Sequence, residues 1–362
     1  MCGIIGFTGS LPAKDILIDG LARLEYRGYD SAGIALLNDD DTLTIRKKAG
    51  RVDELRAMCS DRKYTSTCGI GHTRWATHGG VTDINAHPHK CGKVAIIHNG
   101  IIENYYDIIR EYGLADMLVS ETDTEVVAAL LDKLYDGDPV KTIKKAVNII
   151  SGSFALCIMF ADHPGKIYAV RNVSPMVAAS SEKGSIIASD LTAIISFSKE
   201  YFVVPEYHIL TMTEEGIKVE DMKGNVVKPQ MLEITWDIEA AQKGGFPHYM
   251  LKEIYEQPDS LRNTITPRVV DGLPDFAEDG IDDEVFKNCT NITVVACGTA
   301  MHAGIVGKAM IEAELKIPVN VEIASEFRYK EPLIDDKTLV IVTSQSGETI
   351  DTLEALRLAK RC

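Results

Sequence analysis

The chain begins Met1-Cys2-Gly3-Ile4-Ile5-Gly6-Phe7, a cysteine directly behind the first methionine and ahead of an apolar, strand-favouring run. If Met1 is cleaved, Cys2 carries a thiol and a free α-amine on one residue. Such an amine has a reference pKa of about 7.7–8.0, so it can take and return a proton near neutral pH, and a thiolate is strongly nucleophilic. The same stretch also reads as a small apolar cysteine starting an edge strand, with Gly3 and Gly6 as turn permissions. Position alone leaves both readings open.

Moving outward, residues 12–25 place Ile16, Leu17, Leu21 and Leu24 at helical spacing, and the glycines of 26–33 predict a turn with close backbone approach. Residues 34–37 and 43–46 read as strands around the acidic turn 38–41. Arg27 is a surface cation or, beside a nucleophile, a support for the reactive end. The stretch Gly69-Ile70-Gly71-His72-Thr73-Arg74-Trp75-Ala76-Thr77-His78-Gly79-Gly80 concentrates binding side chains between glycines. Arg74 suits a carboxylate through its guanidinium fork, and Thr77 and His78 can add polar contacts. Residues 94–97 form a buried strand that ends at His98-Asn99-Gly100. There an amide side chain and an open backbone N–H are the two donors an oxyanion hole needs. Asn-Gly is equally a common hairpin turn. Residues 105–112 read as a helix, and Ser120-Glu121-Thr122-Asp123-Thr124-Glu125 carries an N-cap signature, although Asp123 could instead meet a ligand ammonium. Helices over 126–134 and 140–150, then strands over 153–160, 166–171, 176–180 and 185–189, make the first part mixed α and β.

Composition narrows the class. The 362 residues allow two or three domains, with 45% hydrophobic and 25% charged residues, an ordinary globular balance. A net charge of −15 argues against general binding to nucleic acid or a membrane surface. The eight cysteines are scattered without metal-ligand spacing, no secretory signal opens the chain, and no run reaches the roughly 18 apolar residues of a membrane helix. A cytoplasmic protein with reduced thiols and no metal or cofactor is expected.

The motifs at Cys2, 25–33, 72–79, 98–104 and 120–125 occur in the order seen in class II glutamine amidotransferases, and the whole chain resembles the glutamine:fructose-6-phosphate aminotransferase (glucosamine-6-phosphate synthase) family. The resemblance implies an α+β N-terminal-nucleophile hydrolase, a four-layer αββα sandwich with Cys2 at the end of a central strand. It implies that Cys2 attacks the side-chain amide of L-glutamine, with its α-amine shuttling the proton and a γ-glutamyl thioester forming as ammonia leaves. Asn99 and the Gly100 N–H would stabilise the oxyanion. Arg74 would hold the substrate carboxylate and Asp123 its ammonium, Thr77 and His78 would complete the pocket, and Trp75 would stand near the ammonia outlet.

Further on, 247–258 resembles the family's helix after the glutaminase domain, and 273–283 reads as an exposed acidic connection. Strands over 291–296, 319–323 and 338–343 alternate with helices. Cys297-Gly298-Thr299-Ala300 and Ser344-Gln345-Ser346-Gly347-Glu348-Thr349 form strand–turn–helix junctions that point N–H groups at a phosphate, or are simple N-caps. They resemble the first sugar-isomerase (SIS) domain, a flavodoxin-like parallel sheet, where Thr299, Ser344, Gln345, Ser346 and Thr349 would bind fructose 6-phosphate. Ala300 stands where the family usually has serine. The expected layout is a glutaminase domain over 1–236, a connecting segment over 237–284 and a partial SIS domain over 285–362. Because the sheet is half built at Cys362, the chain is expected to keep glutamine hydrolysis without completing aminotransfer. A phosphosugar-binding regulatory fragment or a glutaminase alone is the other reading, and the full-length parent is expected to be a homodimer.

Overall fold

The computed structural model describes residues 2–38, 40–76, 79–234, 244–282, 284–345, 347 and 349–362. The chain divides into two compact units, 1–241 and 242–362.

In the first unit, two antiparallel sheets carry the core. One places strands in the order Leu232–Glu233 (β14), Glu200–Val203 (β11), Val177–Ser181 (β9), Gly184–Ala188 (β10), Gly3–Gly9 (β1), Cys68–Arg74 (β4), Ser31–Leu37 (β2) and Leu43–Ala49 (β3). The other runs Gly216–Asp221 (β13), His208–Thr213 (β12), Ile167–Asn172 (β8), Gly152–Phe160 (β7), Val94–Ile102 (β6) and His89–Cys91 (β5). Strand β1 is buried along its whole length, which is why it reads as a continuous apolar run rather than an alternation. Its neighbouring residues still part company. Ile4 packs between the sheets with Ile70, Ile97 and Leu210, while Ile5 and Phe7 face the helices Ala13–Leu24 (α1), Val52–Met58 (α2) and Leu191–Ile194 (α6). On the second sheet Ala95 and Ile97 face inward, and Val94 and Ile96 meet Tyr105–Tyr112 (α3), Asp123–Leu134 (α4) and Pro139–Val147 (α5). The period of two along each strand thus builds four layers, helix, sheet, sheet, helix.

One local expectation needs correcting. The strand from Val94 does not end at Asn99-Gly100, and the pair is no hairpin turn. Asn99 sits opposite Ala155 and Gly100 opposite Phe154, and pairing continues to Ile102. Gly100 has φ +133°, and a Cβ there would lie 2.0 Å from the Ser153 carbonyl oxygen. Only glycine lets the strand bend there and stay paired.

The second unit opens with a helix, Tyr249–Ile265 (α7), and a short hairpin of Val269–Val270 (β15) and Leu273–Pro274 (β16). After Glu284–Lys287 (α8), three parallel strands lie in the order Val319–Ile323 (β18), Asn291–Ala296 (β17) and Thr338–Thr343 (β19). Gly298–Leu315 (α9), Ala324–Phe327 (α10) and Ile350–Arg361 (α11) connect and follow them. Val295 packs with Phe327 and Ala355 on one face, while Ile292 and Val294 pack with Ile311 on the other. Strand β17 connects to β18 on one side and lies against β19 on the other, so the order reverses at its C-terminal end, where open α/β sheets bind ligands.

Candidate active site

Cys2 precedes β1, on the face that Ile4 turns toward the inter-sheet layer. Its Sγ accepts a hydrogen bond from the Trp75 N–H at 3.2 Å and lies 3.5 Å from the Trp75 carbonyl, to which the thiol donates. The glycine turn foreseen at 26–33 holds this bracket. A Cβ on Gly28 would come within 2.9 Å of the Arg74–Trp75 peptide, the Asp30 N–H donates to the Arg74 carbonyl at 3.0 Å, and Asp30 Oδ2 accepts from the Ala76 N–H at 2.9 Å. Burial raises the thiol pKa, opposed by the Trp75 N–H and the Arg74 guanidinium. The thiol therefore rests protonated at neutral pH and needs a base. Arg27 is buried and acts at one remove. It pairs with Asp190 at 3.0 Å and donates to the Ser189 carbonyl, while Ser189 bonds the Ile4 backbone through both its hydroxyl and its N–H.

A small pocket, about 20 Å3 in volume, opens beside the thiol, lined by Arg74, Trp75, Gly100 and Asp123, with His87, His98, Thr122 and Thr124 also contributing. Arg74 ends β4, is 3% exposed, and donates to the carbonyls of Gly79 and Gly80. Its pKa is lowered chiefly by burial, against the pull of nearby carboxylates including Asp123. Asp123 is the first residue of α4, and Asp123 Oδ2 accepts the Ile102 N–H at 2.8 Å. The cap of that helix is Thr122, whose hydroxyl accepts the Glu125 N–H while Glu125 Oε2 accepts from Val119 and Ser120. Capping thus occupies Thr122 and Glu125 and leaves Asp123 to face the pocket. A guanidinium and a carboxylate in one pocket match the two charges of an α-amino acid, and the thiol lines the same pocket.

Asn99 lies on the inward face of β6, and its Nδ2 donates to the Cys2 carbonyl at 3.1 Å. Trp75 stands half exposed, edge-on to Tyr29 at 5.7 Å. Thr77 and His78 lie outside the described residues.

The motif reading overlooked the histidines beneath the pocket. His72 Nε2 lies 3.0 Å from the His98 carbonyl and 3.1 Å from Asn99 Oδ1, and the Thr124 hydroxyl bridges His87 Nε2 and His98 Nδ1 at 2.9 Å each. His72 and His87 stack at 4.2 Å. Desolvation lowers the His72 pKa to about 3 and holds His87 and His89 well below the ordinary range. The available signal was spacing: His72 and Arg74 are two apart on β4 and share a strand face.

In the second unit, Ala296 and Thr343 are paired neighbours, so the turns that follow them lie side by side. Thr299 is exposed in the first turn of α9, and Thr349 is the residue preceding α11. Ser344 Oγ accepts the Gly347 N–H at 3.1 Å and lies 3.3 Å from Thr349 Oγ1, with Gln345 exposed beside it. The Thr352 hydroxyl reaches Cys297 Sγ at 4.0 Å, tying the start of α11 to the first turn. Two helix N-termini therefore share one end of the sheet, an arrangement suited to an anion. Ser346 lies outside the described residues. Among the described residues no group of three or more His, Cys, Asp or Glu is placed to hold a metal, and no helix is long and apolar enough to cross a membrane.

Comparison with known proteins matches residues 79–196 to the glutamine amidotransferase domain family and 285–362 to the SIS domain family. The glutamine–fructose-6-phosphate aminotransferase (isomerizing) of Clostridium acetobutylicum is 46% identical over 99% of this chain and 60% of its own length. That of Thermus thermophilus is 43% identical over 100% of this chain and 60% of its own length. The chain spans about 60% of the length of these curated relatives. Among solved structures, a glutamine phosphoribosylpyrophosphate amidotransferase from B. subtilis aligns with a TM-score of 0.54 at 20% identity, covering 95% of this chain and 69% of its own. An allosteric regulatory enzyme of purine biosynthesis aligns at 0.56 and 21%, with the same coverage. The fold of the first unit is therefore that of the N-terminal-nucleophile amidotransferases.

Proposed function

We propose that this pairing, a glutamine amidotransferase domain followed by a SIS domain, is the glutamine-hydrolysing and sugar-phosphate-binding portion of a glutamine:fructose-6-phosphate aminotransferase (isomerizing), which makes glucosamine 6-phosphate. The observation that carries the reading is the Cys2 thiol, bracketed by the Trp75 peptide in a pocket that also holds Arg74 and Asp123. Arg74 takes the carboxylate of L-glutamine and Asp123 its ammonium, with Thr77 and His78 closing the pocket. Once Met1 is removed, the α-amine of Cys2 accepts the thiol proton as Sγ attacks the amide carbon, and returns it to nitrogen as ammonia leaves. Asn99 Nδ2 and the Gly100 N–H receive the developing oxyanion. Water then cleaves the γ-glutamyl thioester and releases glutamate. Arg27 steadies β1 through Ser189, and Trp75 stands at the exit for ammonia.

Fructose 6-phosphate is the proposed ligand of the second unit, its phosphate at the N-termini of α9 and α11 with Thr299, Ser344, Gln345, Ser346 and Thr349. The proposed layout is glutaminase over 1–236, connection over 237–284 and SIS domain over 285–362, in a protein that works in the cytoplasm as a homodimer without a cofactor. The test is glutamate release from glutamine by the purified chain, with intact mass to establish loss of Met1. Activity that vanishes in Cys2→Ala is expected. No release from a chain that has lost Met1 would overturn the nucleophile, and release without fructose 6-phosphate binding would reduce the protein to a glutaminase.

A further inference from the structure

We infer that His72 is a positioning residue that fixes which end of the Asn99 side chain faces the reacting carbonyl. The inference rests on the glutamine hydrolysis proposed above. Carbonyl oxygens decide both orientations. The His98 carbonyl can only accept, so His72 Nε2, 3.0 Å away, carries the hydrogen. The Cys2 carbonyl can also only accept, so the group that Asn99 turns toward Cys2 is its Nδ2, at 3.1 Å. Asn99 Oδ1 is then the end that meets the same His72 N–H, at 3.1 Å. With Nε2–H shared between two acceptors, the imidazole accepts nothing there, and a flipped Asn99 amide would set N–H against N–H.

The rest of the layer keeps that imidazole neutral and in place. His72 is fully buried, its ring stacks on His87, and its Nδ1 has no hydrogen-bond partner among the described residues. A second proton would sit on that Nδ1. His87 is held in turn by Thr124, one residue beyond Asp123, and Thr124 also holds His98, the neighbour of Asn99. The layer therefore links the element that recognises the amino acid to the strand that carries the amide donor, and its last link is the His72 hydrogen bond. Burying a polar ring that reaches no substrate is costly unless its bond does something. Here it makes one amide rotamer the resting state, so the donor is oriented before charge develops.

The test measures glutamate release by the Met1-free chain carrying His72→Phe, which keeps a ring to stack on His87, and His72→Gln, which can restore a donor. A second readout is binding of glutamate γ-semialdehyde. The Cys2 thiol adds across this aldehyde, forming an S–C bond and sending its proton to oxygen, so affinity depends on the oxyanion donors. His72→Phe is expected to lower kcat at least about tenfold with the KM for glutamine within threefold. Semialdehyde affinity should fall in proportion while L-glutamate affinity stays constant, and His72→Gln should recover part of the loss. In an Asn99→Ala background the His72→Gln effect should disappear, because the two residues act as one unit. That cycle also decides the matter if His72→Phe fails to fold. Equal losses of semialdehyde and glutamate affinity, an unchanged kcat in a folded His72→Phe, or the same His72→Gln effect in both backgrounds would overturn the inference. Absence of glutamate release from the unsubstituted chain would instead fell the functional reading, and this inference with it.

Discussion

The surroundings of Cys2 and the turns after β17 and β19 hold polar groups in different ways. At Cys2 the polar side chains are buried and anchored through named partners: Arg74 by two carbonyls, Asp123 by the Ile102 N–H, Asn99 by His72 and the Cys2 carbonyl. In the second unit Thr299 and Gln345 are exposed, and the proposed binding geometry comes from two helix ends that follow adjacent parallel strands. Buried side chains give directional contacts to a small zwitterion, and each must be satisfied or it destabilises the fold. Backbone N–H groups at helix ends recognise a phosphate with less dependence on any one side chain. Ala300, where the resembled family usually has serine, would cost the second arrangement less than the loss of a side-chain hydroxyl would cost the first.

Acid should separate the two regions most strongly. His72, held down to about 3 by burial, and His87 and His89 remain neutral in the folded chain. Unfolded histidines gain a proton below about pH 6.5, so the unfolded state binds more protons. Stability from this source is complete above that pH and is lost as pH falls below it, by about 1.4 kcal/mol per pH unit for each histidine that stays neutral in the folded chain, for His72 down to about 3. Urea midpoints at pH 7, 6 and 5 should therefore drop for the first unit, and a flat profile would mean that the histidine layer opens to solvent. Next in size, Arg74→Ala should cut kcat/KM for glutamine by about 10²-fold, roughly 3 kcal/mol, because it leaves the substrate carboxylate without its partner. Steady-state glutamate release measures it. Gly100→Ala should cost about 2–3 kcal/mol of stability, since alanine resists φ +133° and its Cβ meets Ser153, and a thermal melt reads it. The smallest effect belongs to the exposed site. Ser344→Ala should weaken fructose 6-phosphate binding by about 1 kcal/mol, near fivefold by calorimetry, with glutamate release unchanged. A loss there as large as that of Arg74→Ala would erase the contrast.

Local pattern made much of this legible. Tyr105–Tyr112 forms the expected helix, β2 and β3 close around the acidic turn, and the three parallel strands fall at the expected places. The four-layer order was reached through resemblance, because a strand such as β1, buried on both faces, gives no alternation to show which residue faces which layer. Asn99-Gly100 misled for a related reason. Two residues favoured in tight turns continue a strand when a partner on β7 pairs with them, and nothing local announces that partner. The role inferred for His72 was hidden likewise, since its acceptors lie 26 and 27 residues along the chain.

The placement of Asn99 inside a paired strand also bears on how errors in this protein behave. If β6 paired with β7 one residue out of step, Asn99 would turn toward the helices and His98 toward the sheets. The core would lose its fit and the pocket its amide donor in the same stroke. Fidelity of assembly and, in the proposed reaction, competence to release ammonia are thus tied to one register, so a copy folded out of step would lose both together.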